Sequence, residues 1–313
     1  MSGYQALREG AAWLGLSRRG RIRATGEDRL RLLHAMSSNA VEDLKPGEGA
    51  RAYFLNAHGH ILADTRIWAF EDSTLLDTEP ETRQSLAEHL EKYIIMDDVT
   101  LEDVTDSMAA VAVEGPQARA IVAKQIGAAP EPGEHHLASS GITVVATSAT
   151  GQPGCWLLAE AGEESELIRR LEAAGVAPAS PEDRQAVRVE NGVVRHTQDF
   201  FETTLPQESG QMGPVSFAKG CYLGQEIVER VRSRGKVRRQ LVRLEIGTAM
   251  PPSSGSAVLA EGHEIGTLTS PVFSPRMGAC LGFSIVRRDA SGPDRSLTVD
   301  GHAARVTSAS DTA

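Results

Sequence analysis

Hydrophobic periodicity changes character near residue 236, and that change constrains the architecture more than any other feature of the chain. Upstream, apolar runs short enough for strands alternate with stretches whose apolar residues recur at helical spacing. Downstream, Val242, Leu244 and Ile246 share one strand face, and short apolar runs at 257–260, 265–269, 280–286 and 297–299 are cut by turns rich in Gly, Pro and Asp. A series of that kind suits a small all-β barrel or sandwich. The spacing therefore predicts an α+β region over residues 1–240 and a small all-β unit, barrel or sandwich, over 241–313.

The upstream scheme runs twice. Residues 4–13 read as a short helix, 17–25 as a strand, and Leu30, Leu33 and Met36 as one face of a helix opened by Gly26. Runs at 51–56 and 61–70, joined by Ala57-His58-Gly59-His60, read as a hairpin, and 73–78 extends the sheet. A helix follows from Pro80, whose missing N–H is harmless in a first turn, to about Met96. Past a boundary near 105, strand 108–113, helix 117–126, strands 141–146 and 155–159 and helix 163–174 repeat the order, with Gly175 as the helix stop. Residues 178–181 read as a linker and 182–190 as a helix ended by Asn191-Gly192. Two related α+β units are expected.

Composition narrows the function. In 313 residues no apolar run approaches the ~18 residues of a membrane span. The N-terminus lacks a basic start followed by a sustained apolar core, so a cytoplasmic protein without membrane partners is expected. Cys155, Cys221 and Cys280 form no CxxC pair, and one candidate thiol is too few for an iron-sulfur cluster, which takes about four. Cys155 and Cys280 lie in strand-like apolar runs and read as core. His58 and His60 flank a turn glycine and His135-His136 follow a Pro-Gly turn, positions that suit solvated loops, so no metal site is expected. A formal charge of -10 and only 4% aromatic residues argue against direct nucleic-acid binding, which needs stacking platforms.

Chemistry concentrates between Phe217 and Leu244. Cys221 lies between Gly220 and Gly224, with Lys219 before it and an amphipathic helix, marked by Leu223, Ile227, Val228 and Val231, opening after it. A nearby cation and a helix N-terminus both favour thiolate over thiol, which would make Cys221 a nucleophile. The competing reading is a small buried hydrophobe. From Arg230 to Arg243 there are seven cations and no acid, so the rest of the chain carries a formal -17. Anions would be drawn to that run, although cations on a strand edge also serve to prevent aggregation.

Lys219-Gly220-Cys221-Tyr222-Leu223-Gly224-Gln225-Glu226 resembles the signature octapeptide of the YgfZ-type folate-binding proteins, relatives of the glycine-cleavage T-protein. Arg188-Val189-Glu190-Asn191-Gly192 resembles the Arg-x-Glu-x-Gly element of that superfamily, and matches run from about residue 50 to 288. The resemblance implies two T-protein-like, ferredoxin-like α+β units and a barrel around a central tetrahydrofolate site. It implies a working thiol at Cys221 and ligand contacts from Glu190, Asp64, Lys219, Gln225, Glu226 and the cationic residue Arg230. Glu190 would face the pterin; its other reading is a helix-end carboxylate paired with Arg188. The segment Leu55 to Asp64 resembles the T-protein loop that presents two adjacent acids, but the first is Ala63 here. Asp64 therefore lacks its partner in acid-base chemistry, and it reads equally as a strand residue held in a hydrogen bond. By resemblance the protein would not be a conventional enzyme but would assist the assembly or repair of iron-sulfur enzymes, including tRNA-modifying ones. The rivals are a folate-dependent aminomethyl- or methyltransferase and a scaffold that binds no folate.

Overall fold

The computed structural model describes residues 1–138, 140–235, 237–290, 292 and 295–307. Lys236 of the cationic run and residues 308–313 of the expected barrel region lie outside the described residues. The chain forms a mixed α+β region followed by a closed six-stranded barrel.

The first segment opens with α1 (Gly3–Glu9), whose N-cap Ser2 and Gln5 exchange hydrogen bonds in a capping box. Strands β1 (Ala12–Gly15) and β2 (Gly20–Thr25) follow, then α2 (Arg29–Met36), the hairpin β3 (Gly49–Leu55) and β4 (Ile61–Ala69), and β5 (Ser73–Thr78). After α3 (Arg83–Glu91) and β6 (Thr100–Asp103), the first sheet is complete in the order β3-β4-β5-β2-β6, antiparallel throughout. The second comprises β7 (Met108–Glu114), α4 (Ala118–Ile126), β8 (His135–Leu137), β9 (Thr143–Val145), β10 (Gly154–Glu160), α5 (Glu164–Ala173) and β11 (Ala177–Pro178). Its sheet order is β11-β1-β7-β10-β9-β8, so β1 leaves its sequence neighbours to pair with β7 and, in parallel, β11.

Alternation along the strands separates the faces. Helices α2 and α3 cover one face of the first sheet through Leu33, Met36, Leu86 and Leu90 on Ile22, Phe54 and Ile67. Helices α4 and α5 cover the second through Val122, Leu167 and Leu171 on Val111, Val113 and Leu157. The two uncovered faces meet in a shared core of Trp68, Leu75, Leu14, Ala112 and Trp156. Helix α6 (Pro181–Glu190), the single turn α7 (Pro206–Ser209) and α8 (Gln225–Arg234) then lead to the barrel. A third core joins Tyr53, Leu55 and Ile61 to Phe200, Val228, Leu281 and Phe283.

The barrel strands are β12 (Arg239–Ile246), β13 (Ala257–Ala260), β14 (His263–Ser274), β15 (Ala279–Arg287), β16 (Leu297–Val299) and β17 (His302–Thr307). Antiparallel pairing of β12 with β17 closes the cylinder and leaves no edge to aggregate. The strands expected at 257–260 and 297–299 form with those bounds.

Four local expectations are corrected. The helix expected over 4–13 ends at Glu9, and Ala12–Gly15 form β1 instead. The helix from Pro80 stops at Glu91 rather than Met96, because the chain must reach β6; Asp28 and Asp98 tie that return, Asp28 N donating to Asp98 O at 3.2 Å and Asp98 N to Asp28 Oδ2 at 2.9 Å. Ile95 and Met96 are consequently exposed. The stretch 178–181 is the end of β11 and the cap of α6, where Ser180 Oγ accepts from Asp183 N at 3.1 Å. His135 is buried in β8 against Phe70, ring centroids 4.4 Å apart, instead of solvated. Among the described residues no helix is long and apolar enough to cross a membrane.

Candidate functional site

A cavity of about 1190 Å3 opens between the two sheets and is walled on a third side by α6 and the segment that follows it. Strand alternation selects what enters it. In β4 the side chains of Ala63 and Ile67 pack in the core under α2, so Asp64, Arg66 and Trp68 face the other way, into the cavity. Opposite them Trp156 of β10 supplies a second aromatic wall, its ring edge-on to Trp68 at 6.2 Å. From α6, Arg184 and Arg188 reach the cavity together because they stand four residues apart on one helix face.

Seven arginines and four carboxylates line this space. Arg51 clasps Asp64 with Nε to Oδ1 at 2.8 Å and Nη2 to Oδ2 at 2.5 Å. Burial alone would raise the Asp64 carboxyl, but Arg51, then Arg66 and His196, hold it below the ordinary carboxylate range. Asp64 is thus an anion at neutral pH, able to accept protons or hydrogen bonds and unable to donate. Glu79 accepts from Arg19 Nη1 at 2.7 Å and Arg195 Nε at 2.6 Å; these two arginines overcome its burial and pull its pKa to about 2. Arg188 is fixed by Asp199 Oδ2 at 2.7 Å and Ser270 Oγ at 2.5 Å, which ties α6 to the barrel. Arg66 stands directly opposite Arg51 across the β3–β4 ladder. Among the described residues it has no carboxylate partner, and it donates instead to Thr147 Oγ1 at 3.2 Å and Ser148 O at 3.1 Å, its guanidinium 4.5 Å from the Trp156 ring centre. Burial, with Arg19 and Arg51 adding repulsion, lowers its pKa to about 10.

Of the residues the sequence singled out, Asp64 alone lines the cavity. Glu190 is placed outside the cavity lining, as an internal fastening. Its side chain is 1% exposed and its carboxylate is occupied by Tyr4 Oη at 2.9 and 3.0 Å, Ser274 Oγ at 2.5 Å and the guanidinium of Arg8. Three elements, α1, α6 and β14, meet there. Lys219 Nζ donates to the main-chain oxygens of Ser37, at 2.7 Å, and His34, capping α2; burial brings its pKa down to about 8. Gln225 Oε1 accepts from Tyr222 N at 3.2 Å, and Glu226 and Arg230 are exposed on α8. Cys221 is exposed on the loop that Lys219 pins, and it is not among the cavity residues. Gly224 begins α8 at φ +81° with the Asn56 oxygen so close that a Cβ would sit 2.6 Å from it, which seats the loop on the β3–β4 turn. Cys155 and Cys280 are buried, as their sequence surroundings imply.

The arginines of the cavity were missed. Arg51 and Arg66 were visible as isolated cations inside apolar strands, and Arg184 with Arg188 as a four-residue pair on one helix, but only pairing of β3 with β4 and docking of α6 bring them together.

A mixed α+β sandwich with a charged cavity between its sheets and a barrel behind it defines a ligand-binding protein of the T-protein class. Residues 2–219 match the GCVT N-terminal domain and residues 239–310 the glycine cleavage T-protein C-terminal barrel domain, and the chain belongs to this family. A chloroplastic Arabidopsis thaliana protein described as a candidate transferase is 27% identical over 94% of this chain and 69% of its own length. The aminomethyltransferase of Rubrobacter xylanophilus is 27% identical over 92% of this chain and 79% of its own. The crystal structure of glycine cleavage system aminomethyltransferase T from Bartonella henselae superposes with a TM-score of 0.89, covering 98% of this chain and 87% of that one at 21% identity, which shows a shared fold.

Proposed function

We propose that this chain binds tetrahydrofolate in the central cavity and serves as a folate-binding accessory to iron-sulfur enzymes, with Cys221 as an outward thiol toward a partner. The observation that carries the reading is the solitary Asp64, salt-bridged to Arg51 beside an Ala63 that faces the opposite side of the sheet. Position 63 supplies no proton handler to the cavity, so the two-acid chemistry expected of aminomethyl transfer has lost one member.

The residues fit a folate. The volume exceeds that of a site for a drug-sized ligand, about 300–1000 Å3. Trp68 and Trp156, packed edge-on, form an aromatic floor, and among the described residues the buried Nη2 of Arg19 and Nε1 of Trp156 have no hydrogen-bond partner. Asp64 keeps lone pairs free beyond those used by Arg51, and an anionic carboxylate suits the paired donors of an amino-pyrimidine edge. When bound, tetrahydrofolate would supply the nitrogens that carry a one-carbon unit. The chain's own part is to receive the head in the cavity beside Trp68, orient it through Asp64 and hold the barrel against α6 through Arg188. The resemblance of the octapeptide, with Cys221 exposed on a loop held by Lys219 and Gly224, supports a thiol that meets a partner rather than the bound ligand.

Aminomethyl transfer is the second reading, favoured by the names of relatives at 25–27% identity. Titration of tetrahydrofolate followed by tryptophan fluorescence should saturate, and Asp64→Asn should weaken binding at least tenfold. No saturable binding at millimolar ligand would leave a scaffold without folate. Robust aminomethyl transfer that survives Cys221→Ala would replace the accessory role with the transferase.

A further inference from the structure

The cavity holds more positive charge than its own acids neutralise. Arg19, Arg51, Arg188 and Arg195 each have a carboxylate partner. The other three lining arginines, Arg18, Arg66 and Arg184, have no ion-pair partner among the described residues. Arg18 is exposed and stays hydrated, but Arg66 and Arg184 are largely buried, and unpaired buried cations cost stability, since like charges repel and burial removes hydration. Arg66 sits on Trp156 with neutral acceptors only, and burial together with Arg195, Arg188 and Arg19 lowers Arg184. Arg66 and Arg184 both feel Arg19, although one rises from β4 and the other from α6.

From this we infer that Arg66 and Arg184 form an anion subsite in the cavity, built for a group carrying at least two negative charges, an oligocarboxylate or a phosphate, with the exposed Arg18 at its rim. Guanidinium is the side chain suited to planar, two-point recognition of either. The subsite lies alongside Asp64 rather than on it, so one ligand can place a neutral head at the carboxylate and an anionic portion at the arginines. Alternatively a separate small anion occupies the subsite while the head binds. The charge imbalance stands whether or not the head is a folate.

The test uses the full chain and the variants Arg66→Gln and Arg184→Gln. Citrate, inorganic phosphate and tripolyphosphate are titrated at fixed ionic strength, with melting temperature and tryptophan fluorescence as readouts. Wild type should bind at least one of them saturably, and each variant should weaken that binding tenfold or more. Without ligand the variants should melt at or above the wild-type temperature, which a merely structural arginine would not do. Tetrahydropteroate, which has the folate head without its glutamate, separates the two sources. If the anion is the ligand's own tail, wild type prefers tetrahydrofolate over tetrahydropteroate and the variants lose that preference. If it is a separate molecule, head affinity is equal for the two and citrate or phosphate binds beside it. Failure of both folates to bind overturns the functional reading and leaves the anion arm intact. The inference is overturned if no anion binds wild type above the ionic-strength control, if the variants bind as wild type does, or if they melt well below it.

Discussion

Replacing Glu190 with Gln distinguishes an internal fastening from a ligand contact. The carboxylate is 1% exposed, faces an Arg8 side chain that is 14% exposed, and accepts from Tyr4 and Ser274 as well. Among the described residues Arg8 Nε has no hydrogen-bond partner, so removing the charge leaves the guanidinium with the bond from Nη1 to Asn191 Oδ1 at 2.9 Å. Breaking a buried pair costs about 3–5 kcal/mol, and an amide that preserves shape and one acceptor should recover part of it. The expected loss is therefore about 2–3 kcal/mol, the size of a charge-assisted hydrogen bond. At about 2–4 °C per kcal/mol this lowers the melting temperature by roughly 4–12 °C. Denaturant unfolding of Glu190→Gln, Arg8→Met and the double variant measures the coupling, which should exceed about 1 kcal/mol. Folate affinity, measured on folded protein, should not change. A Glu190→Gln variant that melts like wild type and loses folate binding tenfold would show that the carboxylate belongs to the ligand site after all.

Alkylation of native protein at neutral pH should modify Cys221 quickly and Cys155 and Cys280 only on unfolding, because both of those are sealed and burial pushes Cys155 up to about 11; equal rates for the three would contradict the loop geometry. Acid should weaken the fold through Glu79. Its carboxyl, depressed from 4.5 to about 2 in the folded chain, contributes stability that is fully present above pH 4.5 and is lost as the pH falls toward 2, on the order of 3 kcal/mol in all. Urea midpoints between pH 5 and 3 should fall in wild type and flatten in Glu79→Gln; parallel slopes would remove Glu79 as the cause.

Much of this architecture was legible because strand and helix periods are local. The bounds of β5, β13 and β16 follow from runs of apolar and β-branched residues between turn formers, and α5 stops before Gly175, which takes φ +88°. Strands β6 and β17 escaped because their sequences, Thr-Leu-Glu-Asp and His-Ala-Ala-Arg-Val-Thr, carry little apolar contrast. They are strands because neighbours with open hydrogen bonds, β2 and β12, stand beside them. Strand β1 was hidden altogether, its first residues being read as the end of a helix, because four residues become a strand only when β7 and β11 stand on either side.

The site divides the same way. Sequence alone settled that Cys221 sits on a glycine-flanked loop before a helix, that position 63 holds no acid, and that an all-β unit follows the α+β region. These follow from residue identity and from steric rules acting over a few residues. Only the tertiary structure decided that Arg51, Arg66 and Arg184 share a cavity with Asp64, that Glu190 is spent on Tyr4, Arg8 and Ser274, and that the exposed thiol lies apart from the cavity lining. The reason is that a charged group's role depends on which partners reach it through space. Residues far apart in the chain compete for the same carboxylate, and packing of the sheets and α6 determines which of them arrive.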